Sequence, residues 1–100
     1  MVNLPGKTTD EIFMEDLKQE FMDSVATRLK DMRRLLDENN YAEIARIAHD
    51  IKGTAGVFGL DEGTELAREL QYAAQDGKAA ETGTLIAKLT EYMKKNGVDI

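Results

Sequence analysis

The single histidine of the chain, His49, is the residue best suited to chemistry. A neutral imidazole is a good nucleophile near pH 7, and its attack on a phosphoryl group gives a phosphoramidate that can pass the group on. Lys52 follows three residues later, so on a helix its ammonium can reach a phosphoryl oxygen on His49. Phosphoryl transfer depends on positioning and charge neutralisation more than on covalent machinery. The pair has the chemistry that phosphoryl transfer requires, although a lone surface histidine often has no role.

A helical wheel of the segment 44–59 separates this pair from the core. At about 100° per residue, the apolar residues share one arc, which would face the core. They are Ile44, Ile47, Ala48, Ile51, Ala55 and Phe58. A second arc on the other face holds His49, Lys52, Gly53 and Gly56. The histidine is thus predicted to face away from the core.

The glycines of the second arc are costly for a helix. Each is worth roughly 1 kcal/mol less than alanine in a helix interior. Close packing against a neighbouring helix would explain such glycines, but Gly53 points almost directly away from the apolar arc. We infer that Gly53 and Gly56 keep the face flat, so that a large docking partner can approach the imidazole. Gly59 lies nearer the core side and is predicted to end the helix.

Other chemistries fit the sequence poorly. One histidine and no cysteine leave only carboxylates as metal co-ligands, and no close carboxylate shares the face of His49, so no metal site is expected. Asp50 points elsewhere around the helix, which argues against a role as catalytic base. Ser24 is the only serine and lacks the elbow sequence of a hydrolase. Without a glycine-rich nucleotide loop, the phosphoryl donor is expected to be another protein or domain.

Composition and charge limit the binding partners and the cellular compartment that can be expected. One hundred residues suit a single domain, and a net charge of -6 without a basic block argues against nucleic-acid and anionic-membrane partners. The absence of cysteine excludes a disulfide framework. No apolar run is long enough to span a bilayer, and the N-terminus lacks a secretory pattern. We expect a cytoplasmic monomer.

Apolar periodicity predicts four helices. Residues 1–7 are interpreted as a flexible lead-in, and Thr8 with Glu11 as a capping box that opens a helix to about Asp37. Its predicted core stripe is Phe13, Leu17, Phe21, Val25, Leu29, Met32 and Leu36. Ile12, Met14 and Met22 lie at the edges of this stripe, as core margin or as an apolar rim for a partner.

Short polar turns separate the remaining helices. The second helix is predicted from Tyr41 to near Phe58, and Asp61 could cap the third. The buried stripe of the third is predicted as Leu60, Gly63, Ala67, Leu70 and Ala74, with Gln71 beside it, facing the second helix. A fourth helix is predicted from about Lys78 or Ala79 to Asn96, with Leu85, Ile86, Leu89, Tyr92 and Met93 as its apolar set. Residues 8–100 are thus predicted to form an all-α, antiparallel up-down-up-down four-helix bundle.

The run Ala48-His49-Asp50-Ile51-Lys52-Gly53-Thr54-Ala55, followed by Gly59, resembles the histidine-phosphotransfer (Hpt) domain family. That pattern reads Ala-His-x-Leu-Lys-Gly-x-Ala/Ser with a later glycine, and Ile51 replaces the usual leucine. The resemblance implies that His49 is the phosphoacceptor, that Lys52 stabilises the phosphoryl group and that Gly53 clears room for a docking receiver domain. Gln71 matches a position where some members place a polar group that orients the histidine.

The resemblance also implies a function. Such a protein is a phosphorelay intermediate in two-component signal transduction, which accepts a phosphoryl group from a receiver-domain aspartate and passes it to another receiver domain. It has no kinase activity and no cofactor of its own, because the partner receiver holds the Mg²⁺. The expected partners are response-regulator receiver domains and a hybrid histidine kinase. Two alternatives stay open: the phosphoacceptor domain of a chemotaxis-type histidine kinase, suggested by residues 56–59, and a non-catalytic helical adaptor.

Overall fold

Four helices account for most of the chain in the computed structural model, which describes residues 9–100, with side chains from Phe13 onward. They are α1 (Thr9–Asp37), α2 (Tyr41–Val57), α3 (Asp61–Gln75) and α4 (Ala79–Lys95). No strand occurs in this part of the chain. The predicted lead-in 1–7 and the Thr8–Glu11 capping box lie outside the described residues and side chains. The four predicted helices are confirmed to within one or two residues at the ends that the structure describes.

Each helix ends in the same tight backbone turn. At the end of α2, the amide of Gly59 bonds the carbonyl of Gly56 and the amide of Leu60 bonds that of Ala55, at 3.3 and 3.0 Å. This is the Schellman arrangement, in which the residue after the cap takes a left-handed backbone, here Gly59 with φ of 75°. Glycine adopts that conformation without steric cost, so the predicted stop at Gly59 is confirmed.

The helices pack in a ring. α2 contacts α1 and α3, α3 contacts α4, and α4 closes the ring against α1. The connections 38–40, 58–60 and 76–78 are much shorter than the helices that they join. Consecutive helices joined so closely can pack along their lengths only if they run antiparallel. The predicted all-α four-helix bundle is confirmed. None of the helices in the described region combines the length and apolarity needed to cross a membrane.

The core forms where the stripes of the four helices meet. All residues of the predicted α2 stripe are buried except Phe58, which is partly buried and stacks on Phe21 with ring centroids 5.4 Å apart. The predicted α3 stripe is buried along its whole length. On α4, Leu85, Ile86, Leu89 and Met93 are buried, whereas Tyr92 is half-buried. Periodicity therefore identified the core faces of α2, α3 and α4 correctly.

The predicted stripe of α1 is wrong at its beginning. Phe13 is 61% exposed, whereas Phe21, Val25, Leu29 and Met32 are buried. The reason is length: α1 has 29 residues and α2 has 17, or about 44 and 26 Å at 1.5 Å per residue. Because α1 and α2 are joined at the C-terminal end of α1, the first turns of α1 extend past the end of α2 and have no helix opposite them.

The predicted cap of α3 is also wrong by one residue. Leu60, not Asp61, is the N-cap, and it makes no side-chain capping bond. The tight turn at Gly59 directs Leu60 into the core, where it is buried, so Asp61 falls inside the first helical turn. A carboxylate there still interacts favourably with the positive end of the helix dipole.

Candidate functional site

His49 lies at the middle of α2 and is exposed to solvent. Its neighbours on the core face hold the helix in place: Ala48 is fully buried, and Ile47 and Ile51 are 5% and 1% exposed. Neither imidazole nitrogen makes a hydrogen bond to another described residue. Because the apolar stripe fixes the rotation of α2, the imidazole projects outward on the exposed side of the helix. The predicted orientation of His49 is confirmed.

The two glycines after His49 leave its surroundings open. Apart from its chain neighbours and the backbone of its own helix, a Cβ added at Gly53 would meet no atom within 4 Å, so this glycine is not required for packing inside the bundle. A Cβ at Gly56 would lie 3.5 Å from the hydroxyl oxygen of Thr64 on α3, an ordinary contact. Both positions are exposed. Gly53 borders open space, whereas Gly56 lies at the seam between α2 and α3.

Lys52 leans from α2 towards α3. Its ammonium donates a hydrogen bond to the side-chain oxygen of Gln71, with the two atoms 3.2 Å apart, and both side chains are half-buried. Helical spacing predicted Lys52 on the open face; in the structure it lies at the edge of that face, held by a neighbouring helix. Since the amide is neutral, this bond positions the ammonium without cancelling its charge.

Gln71 faces α2, as the sequence predicted, but its oxygen contacts Lys52 and not His49. The role of orienting the histidine stays a prediction. Gln71 and His49 line the same shallow groove between α2 and α3, which measures about 470 Å³ and opens widely to solvent. Its other lining residues are Ala42, Ala45, Arg46 and Gln75. Lys52, His49 and Gln71 are therefore brought together at one seam.

Sequence reasoning missed Arg46, which borders His49 in this groove. The guanidinium hydrogen-bonds Glu43 through several N–H groups and Asp50 at 3.2 Å. Asp50 is also paired with Arg28 of α1 at 3.5 Å. The hydrogen bond from Arg46 is the main reason that the pKa of Glu43 lies below its usual range, and Glu43 in turn raises the pKa of Arg46. The spacing of three residues before His49 could have identified Arg46.

Asp50 is held by arginines of two helices. Its carboxylate is shared between Arg46 on its own helix and Arg28 on α1, so it links the histidine helix to α1. That placement agrees with the expectation that Asp50 is not a catalytic base. Within residues 13–100, no group of three or more histidine, cysteine or acidic side chains is arranged to hold a metal ion.

The site as a whole offers an accessible nucleophile, a fixed cation one turn away and a clear approach. Such an arrangement can accept and release a phosphoryl group, provided that a partner supplies the donor and the remaining charge neutralisation.

Comparison with known protein families gives one match: the model described as the Hpt domain covers residues 16–95. The matched range includes all of α2, α3 and α4 and most of α1. Comparisons with curated proteins and with solved structures found no match.

Proposed function

Since the chain belongs to the Hpt domain family, we propose that it is a phosphorelay intermediate whose His49 takes a phosphoryl group from the aspartate of one receiver domain and gives it to the aspartate of another. Family membership implies phosphotransfer in two-component signalling, and Hpt domains in general are phosphocarriers and not kinases. The observation that carries the residue-level proposal is the exposed His49 on a helix face whose next outward position, Gly53, borders open space.

The bonds that form and break in the proposed transfer involve only the imidazole of this chain. Neutral His49, with its proton on Nδ1, attacks the phosphorus of an aspartyl phosphate through Nε2. The N–P bond forms as the P–O bond to the aspartate breaks, and the aspartate leaves as a carboxylate. No proton has to be removed from the nucleophile in that tautomer. The reverse sequence at a second receiver regenerates His49.

Lys52 is proposed to stabilise the transferring phosphoryl group. Its ammonium is a compact cation with three donors, and Gln71 occupies only one of them. Gln71 is proposed to act through Lys52, by keeping the ammonium beside the histidine. We expect no metal or cofactor in this chain; a Mg²⁺ ion would arrive on the receiver domain.

The docking surface is proposed to be the outward face of α2 around Gly53 and Gly56. The receiver must bring its aspartate within bonding distance of the imidazole, so the side chains at positions 53 and 56, on the proposed path of approach, have to be small. Val57, next along this face, is 67% exposed. An exposed apolar side chain beside the glycines is a natural contact for a partner.

A transfer assay tests the proposal. The purified chain is mixed with a receiver domain charged by acetyl phosphate, and separately with an ATP-loaded histidine-kinase core, and the label on His49 is followed in each. We expect reversible labelling from the receiver. Labelling by the kinase core alone would favour a chemotaxis-type phosphoacceptor. If neither the receiver nor the kinase core nor phosphoramidate labels His49, the remaining interpretation is a non-catalytic helical adaptor. His49→Gln is the control for label at any other residue.

A further inference from the structure

Two cationic side chains, Arg46 and Lys52, flank His49 along α2, and the proposed transfer uses only Lys52. Arg46 precedes the histidine by three residues and Lys52 follows it by three; they are the only arginine and lysine of the helix. On a helix, residues three apart are neighbours, with Cβ atoms about 5–6 Å apart. Both side chains are therefore long enough to reach a group attached to the imidazole from opposite sides.

The two cations are held in different ways. Lys52 is bound by the neutral amide of Gln71, whereas Arg46 is bound by the carboxylates of Glu43 and Asp50. Arg46 is nonetheless accessible, since its side chain is 58% exposed and lines the groove beside His49. Arg46 thus lies beside His49 on a surface that is open to solvent, with its guanidinium turned to Glu43 and Asp50.

We propose that Arg46 is a second cationic ligand of the phosphoryl group on His49. This inference rests on the proposed function, because it concerns the phosphorylated state of the same histidine. A phosphoryl group adds about 1.5 to 2 negative charges and three acceptor oxygens. The planar guanidinium matches phosphate geometry better than it matches the single carboxylate oxygen that it contacts on Asp50.

The exchange of partners requires little rearrangement. In the structure Nε and Nη2 of Arg46 bond Glu43, and Nη1 bonds Asp50. A rotation of the whole planar guanidinium can turn Nη1 from Asp50 to a phosphoryl oxygen while one bond to Glu43 is kept as an anchor. Asp50 does not lose its last cation in this step, because Arg28 of α1 already lies 3.5 Å from the same carboxylate oxygen. In the unphosphorylated protein, Asp50 is thus the alternative partner that holds the guanidinium of Arg46.

The bundle contains a matched control. Arg34 on α1 is 60% exposed and lies beside Asp31 three residues before it and Glu38 four residues after it. Arg46 has the same pattern, with Glu43 at minus three and Asp50 at plus four. Arg34→Gln therefore removes an equivalent ion-paired arginine that has no histidine beside it. Arg46→Lys keeps the charge and removes the planar fork.

The test uses the full chain, labelled on His49 with phosphoramidate so that no partner protein is needed. The phosphorus NMR signal of the phosphohistidine is followed as a function of pH in wild type and in the variants Arg46→Gln, Arg46→Lys and Arg34→Gln. Removal of a neighbouring cation disfavours the dianion, so Arg46→Gln should raise the pKa of the phosphoryl group by about 0.5 to 1 pH unit. Arg34→Gln should leave this pKa unchanged, and Arg46→Lys should lie between wild type and Arg46→Gln.

A second NMR measurement observes the guanidinium groups directly. The chemical shift of the Nε–H proton of Arg46 should change when wild type is phosphorylated, and that of Arg34 should not. A phosphoryl pKa that is the same in wild type and Arg46→Gln, together with an Arg46 signal that does not move on phosphorylation, would overturn the inference while leaving His49 as the phosphoacceptor. Failure of phosphoramidate to label His49 at all would overturn the proposed function, and the Arg46 contact with it.

Discussion

Replacement of Gly53 by leucine should stabilise the fold and block the function. An added Cβ at Gly53 meets nothing within 4 Å, so the new side chain would extend into solvent without displacing any atom of the bundle. Removing a glycine from a helix interior gains up to about 1 kcal/mol. In a domain of this size, that corresponds to a rise in melting temperature of roughly 4–8 °C. Thermal unfolding followed by circular dichroism measures it.

The same side chain would stand one helical turn after His49, where the receiver has to approach. A misplacement of about 1 Å in a transfer geometry can cost on the order of 100-fold in rate. We therefore expect receiver-to-histidine transfer to fall by at least about 100-fold in Gly53→Leu, and by less in Gly53→Ala. Phosphoramidate, which needs little room, should still label His49 at close to the normal rate, and this shows that the imidazole itself remains reactive.

Gly63→Ala is a control in which stability should fall while phosphoryl transfer stays normal. A Cβ at Gly63 would lie 2.9 Å from a ring carbon of Tyr92 and 3.1 Å from the methyl of Met93, in the buried contact between α3 and α4. We expect an overpacking cost of about 1–3 kcal/mol, partly offset by the gain of up to about 1 kcal/mol from removing a helical glycine, with normal transfer by the folded fraction. A Gly53→Leu protein that behaves like Gly63→Ala, unstable but active when folded, would refute the docking assignment, and so would one that is stable and transfers normally.

Three further substitutions test the remaining parts of the site. His49→Gln should abolish all labelling and leave the helical circular dichroism unchanged, so any acid-labile, alkali-stable phosphate on this variant would contradict a single acceptor on Nε2 of His49. Lys52→Ala should slow transfer by roughly 10- to 1000-fold and cost no more than about 1.5 kcal/mol of stability from the lost Gln71 bond; an unchanged rate would leave Lys52 without a catalytic role. Gln71→Leu should slow transfer less than Lys52→Ala does and add little in the double variant, because both act through one ammonium; full additivity would show that Gln71 acts by another route.

The parts of the fold that periodicity predicted are those in which one helix face meets a helix of similar length. α2 and α4 each have 17 residues and α3 has 15, so the apolar stripe of each is covered from end to end. The stripe of α1 has the same spacing, but periodicity carries no information about whether another helix lies opposite. Phe13 was therefore assigned to the core and is exposed.

The site was predictable to the extent that it lies on one helix. The shared face of His49, Lys52 and Gly53 follows from 3.6 residues per turn alone. The bond from Lys52 to Gln71 joins residues 19 apart in sequence, and it depends on how α2 and α3 are rotated about their axes. Periodicity also does not show which of several nearby partners a side chain bonds, so the bond between Gln71 and Lys52 could not be predicted, while the role of orienting His49, which the family resemblance implies for Gln71, stays a prediction.

The division of α2 into a core face and an outward face explains how the helix can tolerate the two glycines. Burial of an isoleucine side chain contributes roughly 1.5–3 kcal/mol, and Ile44, Ile47 and Ile51 are all at most 5% exposed. The glycines cost about 1 kcal/mol each, so the core face offsets them with a margin. Because packing fixes the position of the helix without using its outward face, that face is free to stay flat. Activity and stability should therefore respond to different substitutions on the same 17 residues.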